Sequence, residues 1–146
     1  MTTAAELRAL AEEVEGLSGP DREMDVRIEV ALGAARYGSS VAFPHVVECD
    51  DGTGWRLVRD ARPYTASIDA AASLMPEGWE VEVYDDRHFR QRWCVVTNPP
   101  AGVHVPKPDV WTARPGATES LARCAAALRA RAALLDEAPP TASAAP

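Results

Sequence analysis

The apolar positions of this chain change period several times, and each change marks an element. Over residues 118–136 they recur at Leu121, Cys124, Ala125, Leu128, Ala132 and Leu135, which predicts one helix of about five turns carrying a single stripe. Its alanines allow close approach. This helix is therefore expected to lie flat on a β-sheet built from the middle of the chain and to act as the spine of the fold. Residues 3–16 repeat the pattern at Leu7, Leu10, Ala11 and Val14, while Glu6, Glu12, Glu13 and Glu15 fall off the stripe. Residues 1–18 are expected to form an accessory, detachable helix. A second helix is predicted after Ser18-Gly19-Pro20, with Ser18 as cap and Pro20 in the first turn. Its buried face is Met24, Ile28, Ala31, Leu32 and Ala35, and Gly33 or Gly38 ends it.

The middle of the chain shifts to short apolar runs. AFPHVVEC and WRLV flank Asp50-Asp51-Gly52-Thr53-Gly54, a hairpin signal, with Pro44 confined to the strand start or to an edge. Trp79, Val81 and Val83 alternate with Glu80, Glu82 and Tyr84, and alternation resumes after Asp85-Asp86-Arg87. This second hairpin should place Phe89, Gln91, Trp93 and Val95 on one face of its return strand, and Arg90, Arg92, Cys94 and Val96 on the other. Between the hairpins lies a short helix capped by Thr65 or Ser67, with Asp69 in its first turn and Ile68, Ala71, Ala72 and Met75 buried. Residues 98–115 read as a proline-rich loop and residues 138–146 as a disordered tail. The fold expected is α+β, an α/β/α-type sandwich. Its antiparallel sheet has about four strands in two hairpins, packed with helices, and residues 19–137 form its single domain.

Composition adds limits to this picture. A chain of 146 residues, 47% hydrophobic and 25% charged, supports one ordinary core. Its 22 acidic and 15 basic side chains leave a net charge of −7, the wrong sign for direct binding of nucleic acid. No apolar run is long enough to span a membrane, and the N-terminus lacks the pattern of a signal peptide, so the expected location is the cytoplasm, with no membrane partner. Cys49, Cys94 and Cys124 are odd in number and widely spaced, which suits reduced thiols packed as small apolar groups.

Three separated motifs then carry a resemblance. Arg22-Glu23-Met24-Asp25 through Leu32-Gly33 supplies a helix with an acidic residue, an apolar ridge and a terminal glycine; Pro63-Tyr64-Thr65-Ala66-Ser67-Ile68-Asp69-Ala70-Ala71 follows; Ser120-Leu121-Ala122-Arg123-Cys124-Ala125-Ala126-Ala127-Leu128 closes. In that order they resemble the small phage and prophage proteins of the phage ABA sandwich domain, over roughly residues 21–135. At residues 65–67 the family's Ser-Thr-Asp is replaced by Thr-Ala-Ser, which removes one carboxylate. The resemblance implies an α/β sandwich and a phage or prophage origin, and it implies no activity.

The candidate chemistry is sparse. His45, Cys49, His88, Cys94, His104 and Cys124 contain no paired ligand motif, so no metal and no cofactor is expected. Asp85, Asp86 and His88 sit at a hairpin tip, Gly52 and Gly54 mark a turn, and no nucleophile elbow exists, so no catalytic residue is assigned. The strongest cluster is Tyr64, Thr65, Ser67 and Asp69 at the start of the short helix. It reads either as a site for a ligand, anion or partner on exposed helix amides, or as a helix cap with a packed tyrosine. Trp111, in the proline-rich loop, joins it as an aromatic expected at the surface. The expected function is that of a non-enzymatic phage or prophage accessory protein that binds a host or phage protein, with a homodimer also open. The alternatives are a small-ligand or anion binder using residues 64–69 and, after that, an enzyme of unassigned chemistry.

Overall fold

In chain order the elements are α1 Ala4–Glu15, α2 Arg22–Ala31, β1 Arg36–Tyr37, β2 Val46–Cys49, β3 Leu57–Asp60, α3 Ile68–Ala72, β4 Glu80–Asp86, β5 Arg92–Asn98 and α4 Glu119–Glu137. The computed structural model describes residues 2–33, 35–37, 45–50, 52, 54, 57–86, 92–105 and 117–137. Gly38, Pro44, Trp55, Arg87, His88, Phe89, Arg90, Gln91, Trp111 and residues 138–146 lie outside the described residues.

The helix ends follow from local chemistry. Thr3 caps α1 in a reciprocal box, its hydroxyl accepting from the Glu6 N–H at 3.2 Å while the Glu6 carboxylate accepts from the Thr3 N–H at 2.7 Å. The cap of α2 is Asp21 rather than Ser18: its carboxylate accepts from the Met24 N–H at 3.0 Å. The Thr65 hydroxyl fixes this choice by accepting the Asp21 N–H at 2.8 Å, which holds residue 21 extended just before the helix. Gly33 closes α2 at φ 76°, a conformation that favours glycine. In α4 the Thr118 hydroxyl accepts from the Leu121 N–H at 3.2 Å.

The main core lies between helices. Leu7, Leu10, Ala11 and Val14 of α1 pack with Met24 and Ile28, with Ala71 and Leu74, and with Leu121, Cys124, Ala125, Leu128 and Ala132 of α4. Helix α1 runs antiparallel to α4, and two ion pairs fix the register: Arg8 with Asp136 at 2.6 Å and Glu15 with Arg129 at 2.9 Å. Helix α1, expected as an accessory, thus contributes Leu7, Leu10, Ala11 and Val14 to the main core. Its stripe must be covered, and α4 meets it more extensively than any other element. Glu15, expected on the solvent side, is buried because Arg129 draws it inward.

The spine also meets strands, but on a second face. Ala122 and Ala126 pack on Val95 of β5, with Val81, Val83 and Trp93 alongside, and Ala130 and Ala133 pack on Trp79. Alanines on both faces let two layers approach one helix closely. Leu135, placed on the stripe by its spacing, is 44% exposed. Ile68 is likewise 45% exposed while Leu74 is buried, because α3 has only five residues and its buried side continues into the turn beyond it.

The α+β class, the antiparallel hairpins and the long C-terminal helix are as expected. Among the described residues the hairpins form two separate sheets instead of one: β1-β2-β3, with Tyr37 opposite Val47 and Val47 opposite Arg59, and β4-β5, with Val83 opposite Val95. Each is anchored to a different helix. Val47 and Cys49 pack with Val26, whereas Val95 packs on α4. Among the described residues no helix is long and apolar enough to cross a membrane.

Candidate functional site

Two regions merit attention: a buried polar cluster at α2, and a groove beside it. Asp25 and Glu29 are four residues apart, so their carboxylates lie on one side of α2, and both are buried at 0% and 2% exposure. Asp25 accepts the Thr65 N–H through Oδ1 at 2.8 Å and Arg22 through Oδ2 at 2.7 Å. Arg22 also donates to the Ala61 carbonyl at 2.6 Å. Glu29 Oε1 accepts Arg59 Nη1 at 2.7 Å and the Arg62 N–H at 2.6 Å, and its Oε2 accepts Arg59 Nη2 at 2.5 Å. The Arg59 pairing is bidentate. Burial pushes the Glu29 carboxyl upward, but the Arg59 and Arg62 hydrogen bonds and charges outweigh it and hold the group below the usual glutamate value.

This cluster fastens the segment 61–67 to α2, and the residues singled out at the short helix lie in or beside it. Tyr64 is buried, and its carbonyl accepts from Cys124 Sγ at 3.0 Å. Burial, with the nearby Asp25 charge, pushes the Cys124 thiol up to about 12, which keeps it neutral and unreactive. Thr65 is buried, and its hydroxyl also donates to the Asp21 carbonyl at 3.1 Å. Ser67 is the cap of α3, accepting the Ala70 N–H at 3.2 Å. Asp69 is exposed in the first turn, and Trp111 lies outside the described residues. Exposed amides at the start of α3 are thus not what this cluster offers: Tyr64 and Thr65 face inward, and five residues align too few peptide dipoles to hold an anion.

Sequence reasoning passed over Asp25 and Glu29, since acidic residues one helical turn apart usually face water. The available signal was Arg59 and Arg62 at the end of the first hairpin, two cations with no nearby acidic partner except Asp60.

The groove was equally hidden. It is an open groove of about 910 Å³ between α1, the end of α2 and the end of α4. Leu7 and Leu10, Val30 and Leu32, and Leu134 and Leu135 supply its apolar surface, and Tyr37, 59% exposed, extends that surface outward. Four charged residues also line it: Glu6, Glu13, Arg27 and Arg131. Glu6 is taken up in the α1 capping box. Glu13 and Arg27 form a two-point ion pair, with Nη2 to Oε1 at 3.0 Å, and hydrogen bonding to Arg27 lowers the Glu13 pKa. Arg131 differs from these. Its Nε donates to the Leu74 carbonyl at 2.7 Å, and among the described residues no carboxylate pairs with it. Burial lowers its pKa, though an arginine stays charged at neutral pH.

Among the described residues no group of His, Cys, Asp and Glu could hold a metal ion. His45 and His104 are exposed, Cys94 is half-buried, and none of Cys49, Cys94 and Cys124 is in a disulfide. No family model, no curated protein and no solved structure matches this chain.

Proposed function

We propose that this protein works by binding another protein and not by catalysis, with the groove between α1, α2 and α4 as its contact surface. The observation that carries this reading is an open, largely apolar groove of about 910 Å³ whose lining includes the exposed side chains of Tyr37 and Leu135. Contiguous exposed apolar surface beside a concavity is where recognition is ordinarily found. The resemblance to phage ABA sandwich proteins supplies the setting: an accessory protein of a phage or prophage, acting on a host or phage protein in the bacterial cytoplasm. The reading that places a small ligand or anion at residues 64–69 is weaker, because Tyr64 and Thr65 are buried.

The test is affinity purification of the tagged full chain from a bacterial host, comparing wild type with the double variant Tyr37→Ser/Leu135→Ser. A protein retained by wild type and lost by the variant, with the melting temperature unchanged, is the expected result. Equal retention by both chains would remove the groove from the interface. A small molecule retained in place of any protein, seen by native mass spectrometry, would overturn protein binding as the function.

A further inference from the structure

We propose that the groove receives an amphipathic helical segment of the partner, and that this segment carries an acidic side chain at the edge of its apolar face to pair with Arg131. This inference rests on the reading of the groove as a protein-binding surface, and it adds the chemistry of what binds there.

The argument begins with the charges in the lining. Glu6 is committed to the Thr3 cap, and Glu13 and Arg27 neutralise each other. Arg131, like Glu6, has only a neutral partner, the Leu74 carbonyl, but Glu6 is exposed whereas the Arg131 guanidinium is half-buried beside apolar side chains. Water on the open side now satisfies the rest of it. An apolar segment laid over the groove strips that water and, without a counter-charge, leaves a buried unpaired cation, the costliest arrangement available. A carboxylate on the segment removes that cost and adds a charge-assisted hydrogen bond. The same geometry disfavours a neutral or basic segment, so Arg131 selects as well as binds.

Shape points to a helix. The positions of α1 that line the groove run from Glu6 to Glu13, about 10 Å at ~1.5 Å per residue, which is two turns of a helix laid alongside. Apolar groups from α1, α2 and α4 form its sides, an arrangement that takes side chains spaced three and four residues apart. A ligand confined to the cavity would leave Tyr37 and Leu135, 59% and 44% exposed, uncovered, whereas a segment of a larger partner covers them.

The test selects short helix-patterned peptides from a yeast-displayed library, with the full chain as target. Enriched peptides are expected to share one Asp or Glu at a fixed spacing from their apolar anchors. Arg131→Gln should weaken them about tenfold, the scale of one charge-assisted contact, while Arg131→Lys keeps most of the affinity. Replacing the peptide's acid by its amide should cost the same, with no further loss in Arg131→Gln, because both changes remove one interaction. Enriched peptides that lack an acid and bind Arg131→Gln as well as wild type would overturn the acidic anchor and leave the groove reading standing. Failure to enrich any peptide, or affinity unchanged in Tyr37→Ser/Leu135→Ser, would overturn the groove reading itself. Palmitate binding more tightly than any peptide, with the same dependence on Arg131, would reassign the groove to a lipid.

Discussion

The polar cluster of α2 and the groove at its far end share a helix and differ in what they leave undone. In the cluster all four carboxylate oxygens of Asp25 and Glu29 accept hydrogen bonds, and Arg22 and Arg59 bring charge to meet them. In the groove a cation meets only a carbonyl, and large apolar side chains stand open. A satisfied buried network holds the chain in one arrangement and has no remaining capacity for a partner. An incomplete one beside exposed apolar surface gains from a partner what the chain itself does not supply. Crowding of polar residues is therefore a poor guide to recognition in this molecule, and the better guide is which groups stay unmatched after folding.

The most drastic way to break the comparison is to remove α1, which walls the groove but contributes nothing to the cluster. A chain beginning at Gly19 loses Leu7, Leu10 and Val14 from the core. Each is worth about 1.5–3 kcal/mol, so the sum is comparable to the ~5–15 kcal/mol stability of a typical domain. The expected result is loss of a cooperative unfolding transition by circular dichroism. A sharp transition at the wild-type temperature would show that the cluster and the sheets sustain the fold alone.

Next in size is Glu29→Ala, which leaves Arg59 and the Arg62 N–H without their acceptor. Loss of one partner of a buried pair costs about 3–5 kcal/mol, read as a shift in the urea midpoint. The carboxyl also predicts a pH dependence. Its folded pKa is depressed, so its stabilisation is complete above the unfolded value near ~4.3 and is lost as pH falls through the folded value. Wild type should lose stability across that acid window, and Glu29→Gln should lose less. Parallel curves for the two chains would mean that Glu29 titrates as it does when unfolded.

These two experiments also separate what could be read from the chain from what could not. The stripe of α4 was legible because its spacing is a property of one helix, and every position from Leu121 to Ala132 on it is buried. Leu135 was misplaced because it lines the open groove between α1, α2 and α4, and where neighbouring elements leave a gap is not a local property. The cap of α3, narrowed to Thr65 or Ser67, and the two hairpins are local and were visible for that reason. The cluster was not, since its ion pair joins Glu29 to Arg59 across 30 residues, and an acidic pair on a helix looks the same whether water or arginine faces it. The groove is less local still, being a gap between three elements that no single segment encodes.

A finer distinction concerns the margin of the cluster. Ser67 belongs to the same turn as Thr65, yet its hydroxyl serves α3 alone. Ser67→Ala should therefore cost about 1 kcal/mol, the usual value for a lost cap, and leave peptide binding at the groove unchanged. A loss as large as that of Glu29→Ala would place Ser67 inside the network instead of at its edge.

The smallest expected effect is the most discriminating. Tyr37 and Leu135 are largely exposed, and substitutions at such surface positions ordinarily change stability by no more than ~0.5 kcal/mol. Arg131→Gln gives up a hydrogen bond to the Leu74 carbonyl, worth about 0.5–1.5 kcal/mol, but it also relieves a half-buried charge that has no carboxylate partner among the described residues. The two changes oppose each other, so its net effect should be smaller than that of Glu29→Ala and of either sign. Differential scanning calorimetry of wild type, Glu29→Ala, Arg131→Gln and Tyr37→Ser/Leu135→Ser in one buffer makes the comparison directly. If the groove exists for a partner, the last two chains melt close to wild type while peptide affinity falls. If Arg131→Gln melts as early as Glu29→Ala, then Arg131 is a second structural lock, and its missing carboxylate must be sought within the fold.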